Sequence, residues 1–473
     1  MCGIIGIYQK DKKSESASRL AVLGLFAEQH RGQESCGIAY FDGQKIQLIK
    51  KMGLVKEVFN EKVLENMHSH VAIGHVRYPT KGSSDIGNAQ PHIFSNLSGP
   101  MFALASNGDI VNYKELREDL ESKDVFFESE NDGELILKYI AYYHEKQGLS
   151  IIDSIKNVMQ HFQGSYSTVL LVKDELYAFR DPFGNRPFIF GEIGDGTYVF
   201  ASESCCIDII RAEFKKEVSP SEIIHVSEKG MRSIHPSSFH YAVTGLNPSA
   251  SWRRDRKHLA HCVFELIYFS RPDSVVYDHA VYAFRENLGK KLAEKEDIIT
   301  DVVIPVPDSS NFIALGYAKE LGIDFNFGLI RNHYVGRTFI APEQTIRDEN
   351  VDQKFNTLPG FLEGKKVTLI DDSIVRGTTL KKIVKMVRNN GAKEIHVRIG
   401  SPMVKYSCYY GIDTPTMEEL IANQKTVEDI AAFLQADSLR YLTVPELKSL
   451  IKDENDFCFA CFDGNYPIRQ LAE

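Results

Sequence analysis

Three short stretches carry residues whose types and spacing could do chemistry. The first is the start, "MCGIIGIY", which puts a thiol at position 2. With Met1 removed, Cys2 would stand beside its own free α-amino group. A thiolate attacks amides far better than a hydroxyl does, and an α-amino group with a pKa near ~8 can take the thiol proton. One terminal residue would then be both nucleophile and base, and Gly3 would leave room beside it. The second stretch is "VTLIDDSIVRGTTL" (367–380), where Val367–Ile370 reads as a buried strand with Asp371 and Asp372 at its carboxyl end, the ligand-binding end of an open α/β sheet. "RGTT" then opens a helix, whose free N–H groups bind anions. Gly377 lets the backbone approach a phosphate, and Thr378 and Thr379 add hydroxyl donors. Paired carboxylates beside such a pocket suit ribose hydroxyls or Mg²⁺. The spacing is not that of a Walker loop. The third is "CFAC" (458–461), which alone reads as zinc, redox chemistry or nothing.

These residues need elements to position them. Termini usually fray, so an apolar run beginning at residue 3 predicts a start tied into a sheet. To about Ser233 the chain repeats short apolar runs broken by Gly, Asn and Asp, such as "CGIAYFDG", "VAIGHVRY", "MFALASNGDI" and "YSTVLLVKDELYAFRD", which read as strands. Helical periodicity appears at Arg19–His30 and Gly133–His144. His235–Lys257 loses all periodicity and reads as a linker. Beyond it strands alternate with helices, as in "KKVTLIDDSIVRGTT", "LKKIVKMVRNNG" and "EIHVRIGSP", which predicts βαβ units on a parallel sheet, with Gly391 as a C′ glycine. We therefore expect two domains, residues 2–235 and 258–473.

Composition narrows the function classes. A chain of 473 residues, 43% hydrophobic and 25% charged, is globular and long enough for more than one core. Its net charge of −9 argues against a general nucleic-acid binder. No apolar run reaches the ~20 residues of a membrane span, and the start lacks a secretory signal, so a cytoplasmic protein is expected. Eight cysteines in such a compartment imply metal, catalysis or packing, not disulfides.

"DDSIVRGTT" resembles the 5-phosphoribosyl-1-diphosphate (PRPP) motif of type I phosphoribosyltransferases. "MCGIIGIY", "HRGQESCGIAY", "GHVRYPTKGSS", "NAQPH", "SNGDI" and "ENDGE" resemble the glutamine amidotransferase domain of the N-terminal nucleophile class. With "YFSRPDS", "PVPDSS" and "YVGRTFI" they make the chain similar, from Cys2 to about Pro467, to the amidophosphoribosyltransferases. The resemblance implies an α+β glutaminase domain with αββα layers, followed by an α/β type I phosphoribosyltransferase domain. Its implied activity is transfer of glutamine-derived ammonia to C1 of PRPP, giving 5-phosphoribosylamine, glutamate and pyrophosphate, the entry to purine synthesis. It makes Cys2 the nucleophile and assigns Asn107 and Gly108 to the oxyanion hole. Arg77 would grip the glutamine α-carboxylate and Asp132 the α-ammonium. Arg31, with Gly32 in "HRGQES", joins them on the glutamine-binding side in support of the nucleophile. PRPP would meet Arg331, Arg337, Asp371, Asp372, Gly377, Thr378 and Thr379, and Mg²⁺ would meet Asp308, Ser309, Asp371 and Asp372.

Four thiolates hold zinc or a 4Fe–4S cluster equally well by count. The resemblance favours the cluster: one branch of this family carries one, with cysteines in contexts like those of Cys262, Cys408, Cys458 and Cys461. Cys36, Cys205 and Cys206 read as packing residues. Purine nucleotides as feedback inhibitors and a homotetramer are further implications of the resemblance.

The sequence also departs from the family. Only Met1 precedes Cys2 where cluster-bearing relatives usually make a propeptide, so aminopeptidase alone should mature the chain. In 331–356, Arg331 stands for a usual lysine, His333 and Asp352 for arginines, and Glu343 for glycine; "SNGDI" carries Asp109 for a common asparagine. Added acids in a loop over a polyanion predict weakened PRPP binding. Two rival readings remain. A hexosamine or glutamate synthase lacks any acceptor domain with "DDSIVRGTT". A catalytically weak homologue acting as a nucleotide-binding regulator would release no pyrophosphate.

Overall fold

A computed structural model of the chain describes residues 1–79, 83–194, 196–236, 259–333 and 354–467. The expected linker therefore lies almost wholly outside the described residues, as do Arg337, Glu343 and Asp352. The chain falls into two compact units, Met1–His261 with Tyr409–Asp413, and Cys262–Cys408 with Thr414–Glu473. Nothing in the sequence pattern marks Tyr409–Asp413 as part of the first unit.

The first unit stacks two antiparallel sheets between helices. Gly3–Gln9 is buried along its whole length and sits mid-sheet, between Thr197–Ala201 and Val71–Arg77, in a sheet of seven strands. Side chains alternate across a strand. Ile4 and Tyr8 therefore face a core shared with Ala103, Ala105, Val169 and Leu171 of the six-stranded sheet, and Ile5 and Ile7 face the helix Ala17–Ala27. The far side of the six-stranded sheet is covered by Tyr113–Glu121, Asp132–Gln147 and Ile151–His161. These are the four αββα layers.

The first helix ends earlier than its periodicity predicts. Glu28 closes it, its N–H bonding Gly24 O, and Arg31 N then bonds Glu28 O, so His30 and Arg31 lie in the turn beyond. The reason is tertiary: Arg31 is drawn to the first strand, as described below.

The second unit is built on four parallel strands, in the order Val302–Pro305, Lys366–Asp371, Glu394–Ile399 and Ser438–Tyr441. Thr378–Asn389 returns along the sheet with Leu380, Ile383, Val384 and Val387 buried, and Gly391 follows it at φ +91°. Among the described residues no helix is long and apolar enough to cross a membrane.

Candidate active site

The first site grows from the mid-sheet start of the chain. Pairing of Gly3 with Val76 sets Cys2 beside Arg77 at the end of the neighbouring strand. Cys2 is held by its backbone. Its N–H donates to Asn107 Oδ1 (3.1 Å), its carbonyl accepts from Arg31 Nε (2.9 Å), and its Sγ lies 3.6 Å from Tyr78 O. Asn107 belongs to Gly99–Ile110 in the other sheet and is fully buried. Its oxygen is spent on Cys2, while its Nδ2 has no hydrogen-bond partner among the described residues. A buried donor left open costs stability unless something fills it.

Gly108 is required by space: a Cβ there would lie 1.9 Å from Ser165 O. The five-residue return Tyr409–Asp413 closes on the same point. Tyr410 O accepts from Ser165 Oγ and from Arg186 Nε (both 2.7 Å), and Gly411, at φ +101°, packs against the backbone of Gly108. Ser165, Arg186, Tyr410 and Gly411 went unread in the sequence. No local signal announces a contact 245 residues apart.

Asp132 opens the helix Asp132–Gln147, and its Oδ2 accepts from Ile110 N (3.0 Å), at the end of the strand that carries Asn107. The cap itself is Asn131, whose side chain accepts from Gly133 N (2.8 Å). Gln90 joins the parts: it exchanges bonds with the Ser106 backbone, and its Oε1 lies against Gly133. Arg77 is 1% exposed, with Nη1 on Glu34 Oε2 (2.5 Å) and on Ser83 O (3.3 Å). Nearby, burial and Arg77 push the imidazole of His75 well below its usual pKa, and burial and Lys50 take His92 down to about 3, so both rings are neutral.

Arg31 lies behind the nucleophile. It is fully buried, bonded to the Cys2 carbonyl and, through Nη1, to Glu203, which also takes His30 Nε2 (2.8 Å). A guanidinium so enclosed supports the nucleophile through its backbone carbonyl.

The second site lies where Lys366–Asp371 ends. Asp371 Oδ1 accepts from Ser310 Oγ (3.1 Å) and from Asp372 N (2.9 Å), and Asp372 accepts from Ser309 (2.5 Å) and Ser373 (2.6 Å). Burial raises the pKa of both carboxyls, and the Asp372 charge raises Asp371 further. Gly377 adopts φ +75° as the cap of Thr378–Asn389, placing Thr378 and Thr379 in the first turn. Asp308, after a cis bond to Pro307, accepts from Arg331 Nη1 (2.6 Å).

Four thiols gather in the same unit. Cys262 and Cys458 stand on two short strands that pair, and Cys461 O accepts from Lys405 N and Tyr406 N. Burial pushes the Cys461 thiol well up, and the charges of Cys458, Cys262 and Cys408 add to the shift, so all four are electrostatic neighbours. Among the described residues no three His, Cys, Asp or Glu side chains close tightly enough to hold one metal ion. Cys36, whose thiol is pushed up to about 12 by burial, is packed in the first unit with Cys205 and Cys206.

Residues 80–208 match the glutamine amidotransferase domain family and residues 278–409 the phosphoribosyl transferase domain family. The chain is 45% identical to amidophosphoribosyltransferase 1, chloroplastic, of Arabidopsis thaliana, over 99% of this chain and 79% of that one. It is 45% identical to the amidophosphoribosyltransferase of Methanothermobacter thermautotrophicus, over 98% and 94%. Among solved structures it resembles the glutamine PRPP amidotransferase of B. subtilis complexed with ADP and GMP, at 40% identity and TM-score 0.85, over 98% of this chain and 97% of that one.

Proposed function

Because the chain belongs to the amidophosphoribosyltransferases, the enzymes of the first step of purine biosynthesis, we propose how its own residues divide that reaction. The observation that carries the proposal is Asn107, whose oxygen fixes Cys2 while its amide remains an open, buried donor. With Met1 removed, the Cys2 amino group takes the thiol proton and Sγ attacks the glutamine carboxamide carbon. The C=O electron pair moves to oxygen, and that oxyanion receives Asn107 Nδ2 and the Gly108 N–H. The proton passes to the departing nitrogen, ammonia leaves, and water hydrolyses the glutamyl thioester to glutamate. Arg77, half-neutralised by Glu34, holds the substrate α-carboxylate, and Asp132 its α-ammonium.

In the second unit ammonia displaces pyrophosphate at C1 of PRPP. Thr378, Thr379 and the N–H groups after Gly377 receive the 5-phosphate, Asp371 and Asp372 the ribose, and Arg331 and Arg337 the diphosphate. The hard oxygens of Asp308, Ser309, Asp371 and Asp372 suit magnesium, which commonly takes one or two carboxylates and completes its shell with water and substrate phosphate. When bound it neutralises charge on the leaving pyrophosphate.

Cys262, Cys408, Cys458 and Cys461, four neighbouring thiols, would hold the 4Fe–4S cluster that the family resemblance favours, each thiolate binding a separate iron. The cluster would cross-link the C-terminal segment to its unit. Purine nucleotides as inhibitors are supported by the ADP and GMP bound to the B. subtilis protein; a homotetramer and a cytoplasmic site rest on the sequence reading alone.

The test is Cys2→Ala. Glutamine-dependent synthesis should be lost while ammonia-dependent synthesis persists; equal loss of both would make Cys2 structural.

A further inference from the structure

We propose that Glu28 is a positioning residue for the glutaminase reaction: a carboxyl lodged under the start of the first strand that must be uncharged for Arg31 to hold Cys2. The inference rests on Cys2 being the nucleophile. Glu28 is wholly buried. Its Oε1 accepts from Glu203 N (3.0 Å), and its Oε2 has no partner among the described residues. A Cβ on Gly3 would lie 2.7 Å from that Oε2, so the open oxygen occupies the space that glycine leaves one residue from Cys2.

The charges facing Glu28 are few. From the turn after the helix come His30 and Arg31. From the stretch after Thr197–Ala201 come Glu203, the thiols Cys205 and Cys206 and, acting on Cys206, Asp208. The first strand brings only Cys2 and Gly3. Arg31 is already divided between the Cys2 carbonyl and Glu203, and His30 adds to Glu203. A second buried carboxylate would be uncompensated, which is costly.

The proton therefore rests on Glu28. Burial and Glu203 push its carboxyl up to about 8 against the pull of Arg31. Above that pH the new anion competes for Arg31 and loosens its hold on the Cys2 carbonyl.

Glu28→Gln keeps the shape and the acceptor for Glu203 N but cannot ionise. We expect the ratio of kcat/KM for glutamine in the unsubstituted enzyme to that in E28Q to fall about tenfold between pH 7 and pH 9, as follows for a single group of pKa about 8, since the Cys2 amino group titrates alike in both and cancels. The variant should lack the alkaline fall and keep only the rise that the Cys2 amino group gives as it loses its proton, and ammonia-dependent synthesis should show no such difference. If E28Q fails to fold, Glu28→Met, uncharged and of similar length, gives the same comparison. Coincident alkaline limbs overturn the role of Glu28. Such a result, with Cys2→Ala still losing only glutamine-dependent synthesis, would leave the Cys2 assignment standing.

Discussion

Arg331 Nη1 donates to Asp308 Oδ2 at 2.6 Å, so a cation proposed for PRPP and a carboxylate proposed for its magnesium bind each other. The pair is partly exposed and worth little by itself. Binding of the magnesium complex must exchange it for two better partners. Arg331→Ala should raise the KM for PRPP about tenfold with the KM for glutamine unchanged, the loss of one charge-assisted bond to a phosphate. Initial rates with each substrate varied check this, and a shift in both constants would place Arg331 elsewhere.

Asn107→Asp keeps an oxygen for the Cys2 N–H and removes the open donor. Its glutamine-dependent kcat should fall by roughly 10²–10³, the usual cost of one oxyanion donor. Ammonia-dependent synthesis should be unaffected, and a loss confined to KM would argue that Asn107 only binds glutamine.

Asp371 and Asp372 bear on pH. Their raised pKa values mean that protons must leave before a cation is held, so magnesium and PRPP should bind more weakly as pH falls. Without metal the sign for stability is opposite, because the stabilisation is complete below the ordinary carboxylate pKa and is lost as pH rises through the elevated one. Calorimetry in buffers of different ionisation enthalpy should detect proton release on binding of magnesium with PRPP, and its absence would mean both carboxyls are already ionised.

Anaerobically purified protein should be brown and carry about four irons and four sulfides per chain. Cys262→Ser should give insoluble or protease-sensitive protein. Stoichiometric zinc without acid-labile sulfide would sink the cluster.

What was legible in the sequence had local form. The strand at Gly3–Gln9, the helix start after Gly377 and the paired carboxylates at 371–372 follow from short patterns, because a strand and a helix start are each decided within a few residues. Arg31 is legible by its motif, but its bond to the Cys2 carbonyl is not, since only the folded chain brings the two together. Glu28 carries no signal in the sequence, and its burial near Gly3 is a property of packing between a helix end and a strand. The Tyr410 carbonyl had no pattern to betray it.

That last contact has a consequence for synthesis on the ribosome. Ser165 and Arg186 acquire the Tyr410 carbonyl, and Gly108 its neighbour Gly411, only after some four hundred residues have been made. The order of translation thereby delays completion of the ammonia-producing unit until most of the ammonia-consuming one exists. An amino-terminal fragment ending at His261 should fold around its two sheets yet turn over glutamine poorly, and a nascent chain would waste little.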